Sequence, residues 1–307
     1  DGLLGLLLCA LTLVVVALVA VRRCLPRMLA SAATIALVGG VTTYAGALGG
    51  REVGLAVSMP GDWRIAACDV GQGDALLLRD GEHVALIDVG RRPEPLAHCL
   101  ETLGVDRLDW VLLTHFDADH AGGVAAVLDR TDRAIVGRPD RPADRGYLER
   151  LRTAGISIET GRAGMSGILG STPWQIVWPP AAEPGGTQLS GNPGSLVVRT
   201  EGPGLSALFL GDLGEGEQDA LQSSGSVGPV DVVKVSHHGS ADQSALLYRR
   251  LRARLGLVSV GDDNGYGHPT ARALSMLREA GTATARTDRS GMLLVSAAPG
   301  GPTLWTE

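Results

Sequence analysis

The chain has 307 residues, with 33 acidic against 27 basic side chains, 45% hydrophobic residues and 20% charged ones. That balance excludes intrinsic disorder, a collagen-like repeat and a basic nucleic-acid-coating protein as descriptions of the whole. The net charge of −6 is unevenly spread: residues 1–50 hold Arg22, Arg23 and Arg27 against Asp1, a net +2, while the remainder holds 24 basic against 32 acidic residues, a net −8.

In chain order, Gly2 to Val21 form an uncharged run of 20 residues, the length of helix that crosses a hydrocarbon core roughly 30 Å thick. Met28 to Gly50 form a second uncharged run whose Ala, Gly and Thr content suits packing against other membrane helices. Between them, Arg22, Arg23 and Arg27 make a short positive loop that belongs in the cytoplasm by the positive-inside rule. A signal peptide would carry its basic residues before the apolar run, whereas here they follow it; a buried hairpin of core helices is the other alternative. Residues 1–50 therefore read as a transmembrane hairpin in the cytoplasmic membrane, and residues 51–307 as one sizeable domain on its extracytoplasmic side. The lack of a Met at position 1 fits a piece of a longer, multi-pass protein.

Beyond Arg51, short apolar runs predict strands at Arg64–Cys68, Ala75–Leu78, Val84–Val89, Trp110–Thr114, Trp174–Trp178, Ser195–Thr200, Leu205–Leu210, Val230–Val235, Gly256–Val260 and Met292–Ser296. Asp80-Gly81 signals a hairpin between two of them. Helices are expected at Pro93–Leu103, Ala121–Arg130, Tyr147–Ala154, Gly216–Ser223, Ala245–Leu255 and Thr270–Ala280. Hairpins first and alternating strands and helices later imply sheets covered by helices, a layered α/β domain. Gly161–Gly194, rich in Gly, Pro and Ser, reads as the least regular, loop-rich part around the Trp174–Trp178 strand, fitting a cleft border and a surface excursion equally. Cys68 and Cys99 are isolated rather than in a CxxC pair; outside the cytoplasm a disulfide between them and two buried thiols fit equally well.

The chemistry concentrates at strand ends. His115, Asp117, Asp119 and His120 place four metal-capable side chains within six residues, after one strand and before a helix, with Gly122-Gly123 allowing a close backbone turn. Asp212 ends another apolar strand, and His237-His238 a third. A lone strand-end Asp is more often a turn or cap residue, but adjacent histidines in that position are harder to explain structurally.

Asp88-Val89-Gly90, the His-x-Asp-x-Asp-His-x-Gly-Gly run at 115–123, Gly211-Asp212 and His237-His238-Gly239-Ser240 occur in the order seen in the metallo-β-lactamase superfamily. More narrowly, Asp69-Val70-Gly71-Gln72-Gly73-Asp74-Ala75, Asp117, the His-His-Gly-Ser run and Tyr266-Gly267-His268-Pro269 resemble the C-terminal domain of the ComEC family, the DNA-uptake channels of competent bacteria. This resemblance covers about residues 62–298 and implies a four-layered αββα metallo-β-lactamase fold, preceded by the transmembrane hairpin, with a metal-dependent phosphodiesterase site. It also implies DNA, the membrane and other DNA-uptake proteins as partners.

Carried over residue by residue, the resemblance assigns His115 and Asp117 to one metal, Asp119 and His120 to another, and Asp212 as a bridge. His238 is the expected final histidine ligand, with His237 as the alternative. The superfamily's further histidine before the bridging Asp is absent from Ser190–Ser195, and Asp117 replaces the usual second histidine. The first site is thus oxygen-rich, which favours Mn2+ or Mg2+ over Zn2+, with one or two ions bound. Asp119 and His268 are the expected catalytic residues. Gln72, Asp74, Ser240 and Asn264 are expected to bind substrate, although the turn at Gly71–Asp74 reads equally as an ordinary hairpin. The leading expectation is a nuclease acting during DNA uptake, on the strand that is not imported. A small-molecule metallohydrolase and a non-catalytic DNA-binding or structural domain are the alternatives, kept open by the acidic charge and by Lys234 being the one lysine in the chain.

Overall fold

The computed structural model describes residues 58–181 and 188–307, together with residues 13, 14 and 17. Apart from those three positions, the hairpin expected over residues 1–50 lies outside the described residues. Among the described residues no helix is long and apolar enough to cross a membrane.

Strands β1 (Trp63–Ala67), β2 (Leu76–Asp80) and β3 (His83–Ile87) form an antiparallel meander. The hairpin between β2 and β3 turns where Asp80-Gly81 signals it, with Asp80 opposite His83 and Gly81 at φ +63°. Helix α1 (Pro93–Thr102) then leads to β4 (Trp110–Leu113), helix α2 (Ala118–Ala121) to β5 (Arg133–Val136), and α3 (Asp144–Thr153) to β6 (Ser157–Thr160), all parallel to β3. Strands β14 (Leu293–Ala298) and β15 (Gly301–Thr306) complete this eight-stranded sheet on the other side of β1, in the order β15-β14-β1-β2-β3-β4-β5-β6.

The second sheet has seven strands. It begins as an antiparallel meander of β7 (Ser166–Leu169), β8 (Thr172–Trp178), β9 (Val197–Gly202) and β10 (Leu205–Phe209). It continues in parallel through β11 (Val232–Lys234), β12 (Leu255–Val258) and β13 (Ala283–Arg286). Helices α4 (Glu215–Ser223), α5 (Ala245–Leu251) and α6 (Ala271–Glu279) alternate with these parallel strands, and the single turn α7 (Thr287–Ser290) follows β13.

Side-chain alternation along each strand makes four layers of this. Ile65, Ala67, Leu76, Leu78, Ile87 and Leu112 of the first sheet meet Ile176, Val198, Ala207, Phe209 and Leu257 of the second in one core. Trp110 and Trp174 touch across it with ring centroids 5.2 Å apart. The opposite positions of the first sheet, Ala66, Leu77, Leu86, Val111 and Leu113, are also buried, and α1 turns Leu96 and Leu100 inward, α3 Leu148 and Leu151. On the outer face of the second sheet, Leu208, Val233 and Val258 pack with Leu221 of α4, Leu247, Tyr248 and Leu251 of α5 and Leu277 of α6. Each such side chain contributes roughly 1.5–3 kcal/mol by leaving water. The order is helices, sheet, sheet, helices.

Several elements differ from expectation. The helix expected over Ala121–Arg130 is broken: α2 stops at Ala121 and a separate 3-10 turn spans Val124–Val127. The cause is close backbone packing, since a Cβ on Gly122 would lie 2.3 Å from the Arg91 carbonyl oxygen, and one on Gly123 2.1 Å from that of Val89. Helix α5 ends at Leu251 rather than Leu255, because Arg252 adopts a left-handed φ of 48° and releases the chain into β12. Within the loop-rich stretch Gly161–Gly194, the strand expected at Trp174–Trp178 is found as β8, two residues longer at its start, and β7 is an additional strand. Strands β5, β6, β7, β13 and β15 carry weak local signals and take their order from neighbouring strands. Cys68, just past β1, is bonded to Cys99 of α1, so of the two readings the disulfide is the one found.

Candidate metal centre

The carboxyl ends of parallel strands from both sheets meet at one edge of the sandwich, the usual ligand position in α/β sheets. Register aligns them: Ile87 pairs with Leu112, so Asp88 and Thr114-His115 leave β3 and β4 side by side. Phe209 pairs with Lys234, so Asp212 and His237-His238 leave β10 and β11 together. Asp119 and His120 arrive on α2, which is stitched in place by Val89 N donating to the His120 carbonyl (2.8 Å) and Asp74 N to that of Asp119 (3.1 Å). Only glycine fits at position 73, where a Cβ would sit 2.2 Å from the Asp119 carbonyl oxygen and φ is +140°.

Three imidazoles converge. His120 Nδ1 lies 2.8 Å from Asp88 Oδ2, and Asp88 is itself held by the Thr114 backbone N–H (2.7 Å) and hydroxyl (2.8 Å). His238 Nδ1 lies 2.9 Å from the Ser259 carbonyl, which can only accept, so this nitrogen carries the proton. His115 Nδ1 faces the hydroxyls of Thr114 (3.0 Å) and Ser195 (3.3 Å). With the outer nitrogens engaged, Nε2 of all three rings points inward, buried and without a hydrogen-bond partner, as is Asp212 Oδ1. A protein rarely leaves four such atoms unsatisfied together. Ligand atoms of Asp119, His120 and His238 lie within 4.8 Å of one another, as do those of His115, His120 and Asp212. Three imidazole nitrogens among carboxylates fit a divalent cation of borderline hardness.

The expected ligands are not equivalent. Asp212 Oδ2 is 3.2 Å from His120 Nε2 and 3.6 Å from His238 Nε2, and Asp119 Oδ2 is also 3.6 Å from the latter. His238 is buried within this set, whereas His237 is one-third exposed with Nε2 3.8 Å from Asp212. Asp117 stands apart: Oδ2 is 3.6 Å from His115 Nε2, and Oδ1 is held at 2.8 Å by Arg141.

Electrostatics follow from this crowding of carboxylates. Burial opposes a charge on His238, yet Asp212 and Asp74 raise its pKa to about 9. His120 is raised against the same burial by Asp212 and Asp88. Burial likewise opposes ionisation of Asp212 and Asp74, but the neighbouring histidines and Lys234 hold Asp212 well below the ordinary range and Asp74 at about 2. The same carboxylates that favour a proton on these rings would favour a divalent cation between them.

The residues expected to bind substrate separate. Gln72 lines a cleft of about 270 Å3 with Asp119, Asp212, His237, His238 and His268, as do Arg91, Asp117, Ala118 and Tyr266. Asp74 does not reach it: 1% exposed, it pairs with Lys234 behind the histidines. The Ser240 hydroxyl is buried in its own turn, accepting from Asp242 N and Gln243 Nε2, both at 3.3 Å. The Asn264 amide braces its loop, donating to the carbonyls of Gly261 (2.7 Å) and His268 (2.9 Å) and accepting from His268 N (2.9 Å). It holds His268, whose ring lies 5.5 Å from that of His237. Sequence reasoning passed over Lys234, Ser195, Ser259, Arg91 and Arg141 as parts of the site. Only Lys234 carried a signal, a charge inside the apolar run Val232–Val235.

A family model described as the metallo-beta-lactamase superfamily matches residues 68–258. The chain is 29% identical over 251 residues to ComE operon protein 3 of Bacillus subtilis (strain 168), an alignment covering 73% of this chain and 32% of that protein. It is 28% identical over 245 residues to Competence protein ComA of Neisseria gonorrhoeae, covering 77% of this chain and 33% of that one. The chain thus matches about a third of the length of these relatives. Among solved structures, CmlA, a diiron beta-hydroxylase from Streptomyces venezuelae, matches with a TM-score of 0.51 at 15% identity, over 81% of this chain and 55% of that one, a likeness of fold.

Proposed function

The chain belongs to the metallo-β-lactamase superfamily and resembles ComEC-type competence proteins, and from that premise we propose that it is a metal-dependent phosphodiesterase hydrolysing DNA during uptake. In this reading residues 1–50 anchor it in the cytoplasmic membrane, the domain works on the extracytoplasmic side, and other DNA-uptake proteins are its neighbours. The observation that carries the reading is the convergence of three buried, unpartnered imidazole nitrogens with the Asp212 carboxylate.

Asp119, His120 and His238 would hold one divalent ion with Asp212. His115 and Asp117 would hold a second, with Asp212 shared between the two. The second position is poorer in nitrogen, with the Ser195 hydroxyl beside His115 and Arg141 on Asp117, which favours Mn2+ or Mg2+ over Zn2+. When bound, such ions supply an activated water at neutral pH and offset charge at phosphorus.

The protein's own groups do the rest. Asp88 and the Ser259 carbonyl fix the tautomers and orientation of His120 and His238. His115, then Arg141, outweigh burial at Asp117 and hold its carboxyl at about 2, ionised at neutral pH. His268 borders the cleft, and burial together with His237 and His238 lowers its pKa. A neutral ring suits hydrogen bonding to a phosphate oxygen better than protonation of the leaving oxygen.

The test is cleavage of single- and double-stranded DNA by the full chain in detergent with Mn2+, beside Asp119→Ala and His120→Ala. Cleavage by the parent that drops at least about a hundredfold in both variants is expected, as for the loss of groups essential to the chemistry. No cleavage with any divalent metal, or equal cleavage by the variants, would refute the nuclease reading.

A further inference from the structure

Two residues of the cleft are used neither by the fold nor by the proposed metal centre. Tyr266 is 66% exposed, one of the few large apolar side chains in the described residues that face solvent. Its ring lies stacked on His268, with centroids 5.8 Å apart and planes inclined by 29°. Arg91, exposed in the same cleft, makes no hydrogen bond or ion pair among the described residues.

Neither residue sits on a loose support. Tyr266 rides on the loop closed by the three Asn264 hydrogen bonds, and that loop is anchored at Gly261, where a Cβ would lie 2.6 Å from Gln72 N. The backbone of Arg91 is pinned by Gly122, which packs against its carbonyl, and by Gly123 N donating to the Gly90 carbonyl (2.9 Å). Leaving an aromatic face and a guanidinium bare on braced backbone gives up burial and pairing that a purely structural residue would have.

Resting on the phosphodiesterase reading, we infer that Tyr266 and Arg91 form a nucleotide subsite: Tyr266 stacks on the base flanking the scissile phosphate, and Arg91 binds a neighbouring phosphate. A ring can stack on Tyr266 only if the base has left its helix, so the substrate taken by this subsite is an unpaired DNA strand. The chemistry matches the rest of the surface. Lys234 is buried in an ion pair with Asp74 and offers no phosphate contact, so affinity in this acidic domain rests on local arginines and on stacking rather than on a broad basic face.

The test uses the full chain in detergent with Mn2+ and fluorescein-labelled strands: single-stranded DNA, its duplex, and a single strand of abasic residues. Binding is read by anisotropy and cleavage in parallel. Tyr266→Ala is expected to weaken binding of the normal strand about tenfold, the effect of losing one stacked base, with Tyr266→Trp restoring the parent value. The abasic strand should cost the parent the same about tenfold and cost Tyr266→Ala nothing further. Arg91→Ala should weaken normal and abasic strands alike and flatten the salt dependence. If cleavage fails but the pattern in binding persists, the subsite stands and the nuclease reading falls. If the chain cleaves while Tyr266→Ala binds normal and abasic strands as the parent does, or if no strand binds, the subsite is overturned.

Discussion

The Lys234 ammonium is buried against the Asp74 carboxylate, both side chains 1% exposed, with Asp212 Oδ1 3.9 Å away. Lys234 stands where β11 ends, and Asp74 in the glycine turn before β2. The pair thus joins the two sheets behind the metal-facing histidines. Removing one partner strands a buried charge, whereas removing both with apolar residues of similar volume does not. Lys234→Met should therefore destabilise the chain by about 3–5 kcal/mol in urea unfolding. The double variant Asp74→Leu with Lys234→Met should recover most of that. A Lys234→Met chain as stable as the parent would mean that the ion pair carries no weight.

The layers and much of the site were legible because each depends on local pattern. Apolar runs at Val84–Val89, Trp110–Thr114 and Leu205–Leu210 became β3, β4 and β10, and the ligand types sit directly after them. What was not legible depends on distant partners. The break after α2 comes from the Arg91 and Val89 carbonyls pressing on Gly122 and Gly123; the glycine pair permits it, but the carbonyls that impose it lie outside residues 118–130. Strand β6, Ser157–Thr160, is almost wholly exposed and exists because β5 offers it a ladder. Asp74 reads as a turn residue facing substrate, and its true direction is set by a lysine 160 positions later.

Asp88 orients His120, one of the proposed metal ligands, through the ring's Nδ1. It accepts from His120 Nδ1 at 2.8 Å and is held by two hydrogen bonds from Thr114, at φ +60°. Asp88→Asn keeps the shape but exchanges a carboxylate for an amide against the ring, which weakens the basicity of Nε2 and frees its tautomer. Mn2+ affinity should fall about 10–100-fold, the usual effect of losing such a partner, with unchanged circular dichroism. Calorimetric titration that gives the parent affinity would remove Asp88 from this role.

The Cys68–Cys99 bond closes a chain separation of 31 residues and ties α1 to the end of β1. Restricting a loop of that size in the unfolded chain stabilises the fold by about 3–4 kcal/mol in the chain-entropy treatment. Cys68→Ala with Cys99→Ala should lose about that much in urea unfolding, and dithiothreitol should act on the parent alone. An identical midpoint for the parent with and without reductant would contradict it. The bond also suits an oxidising compartment, which agrees with the proposed extracytoplasmic side.

Stability and metal binding should depend on pH in opposite senses. Without metal, Asp212 and Asp74 raise His238 to about 9 against its burial, and His120 moves in the same direction. A histidine whose folded pKa lies above its unfolded value of roughly 6.5 contributes stability that is complete below that value. The contribution disappears as pH rises through the folded pKa. The chelator-treated chain should therefore lose melting temperature between about pH 6.5 and 9. A divalent cation must displace those same protons, so Mn2+ affinity should rise over that interval, and the melting temperature of the Mn2+-loaded chain should fall less than that of the metal-free one. Thermal melts with chelator and with excess Mn2+ across the interval measure both. A metal-free melting temperature that stays level or climbs would show that these histidines are not protonated in the folded protein, and that the carboxylates around them are balanced in another way.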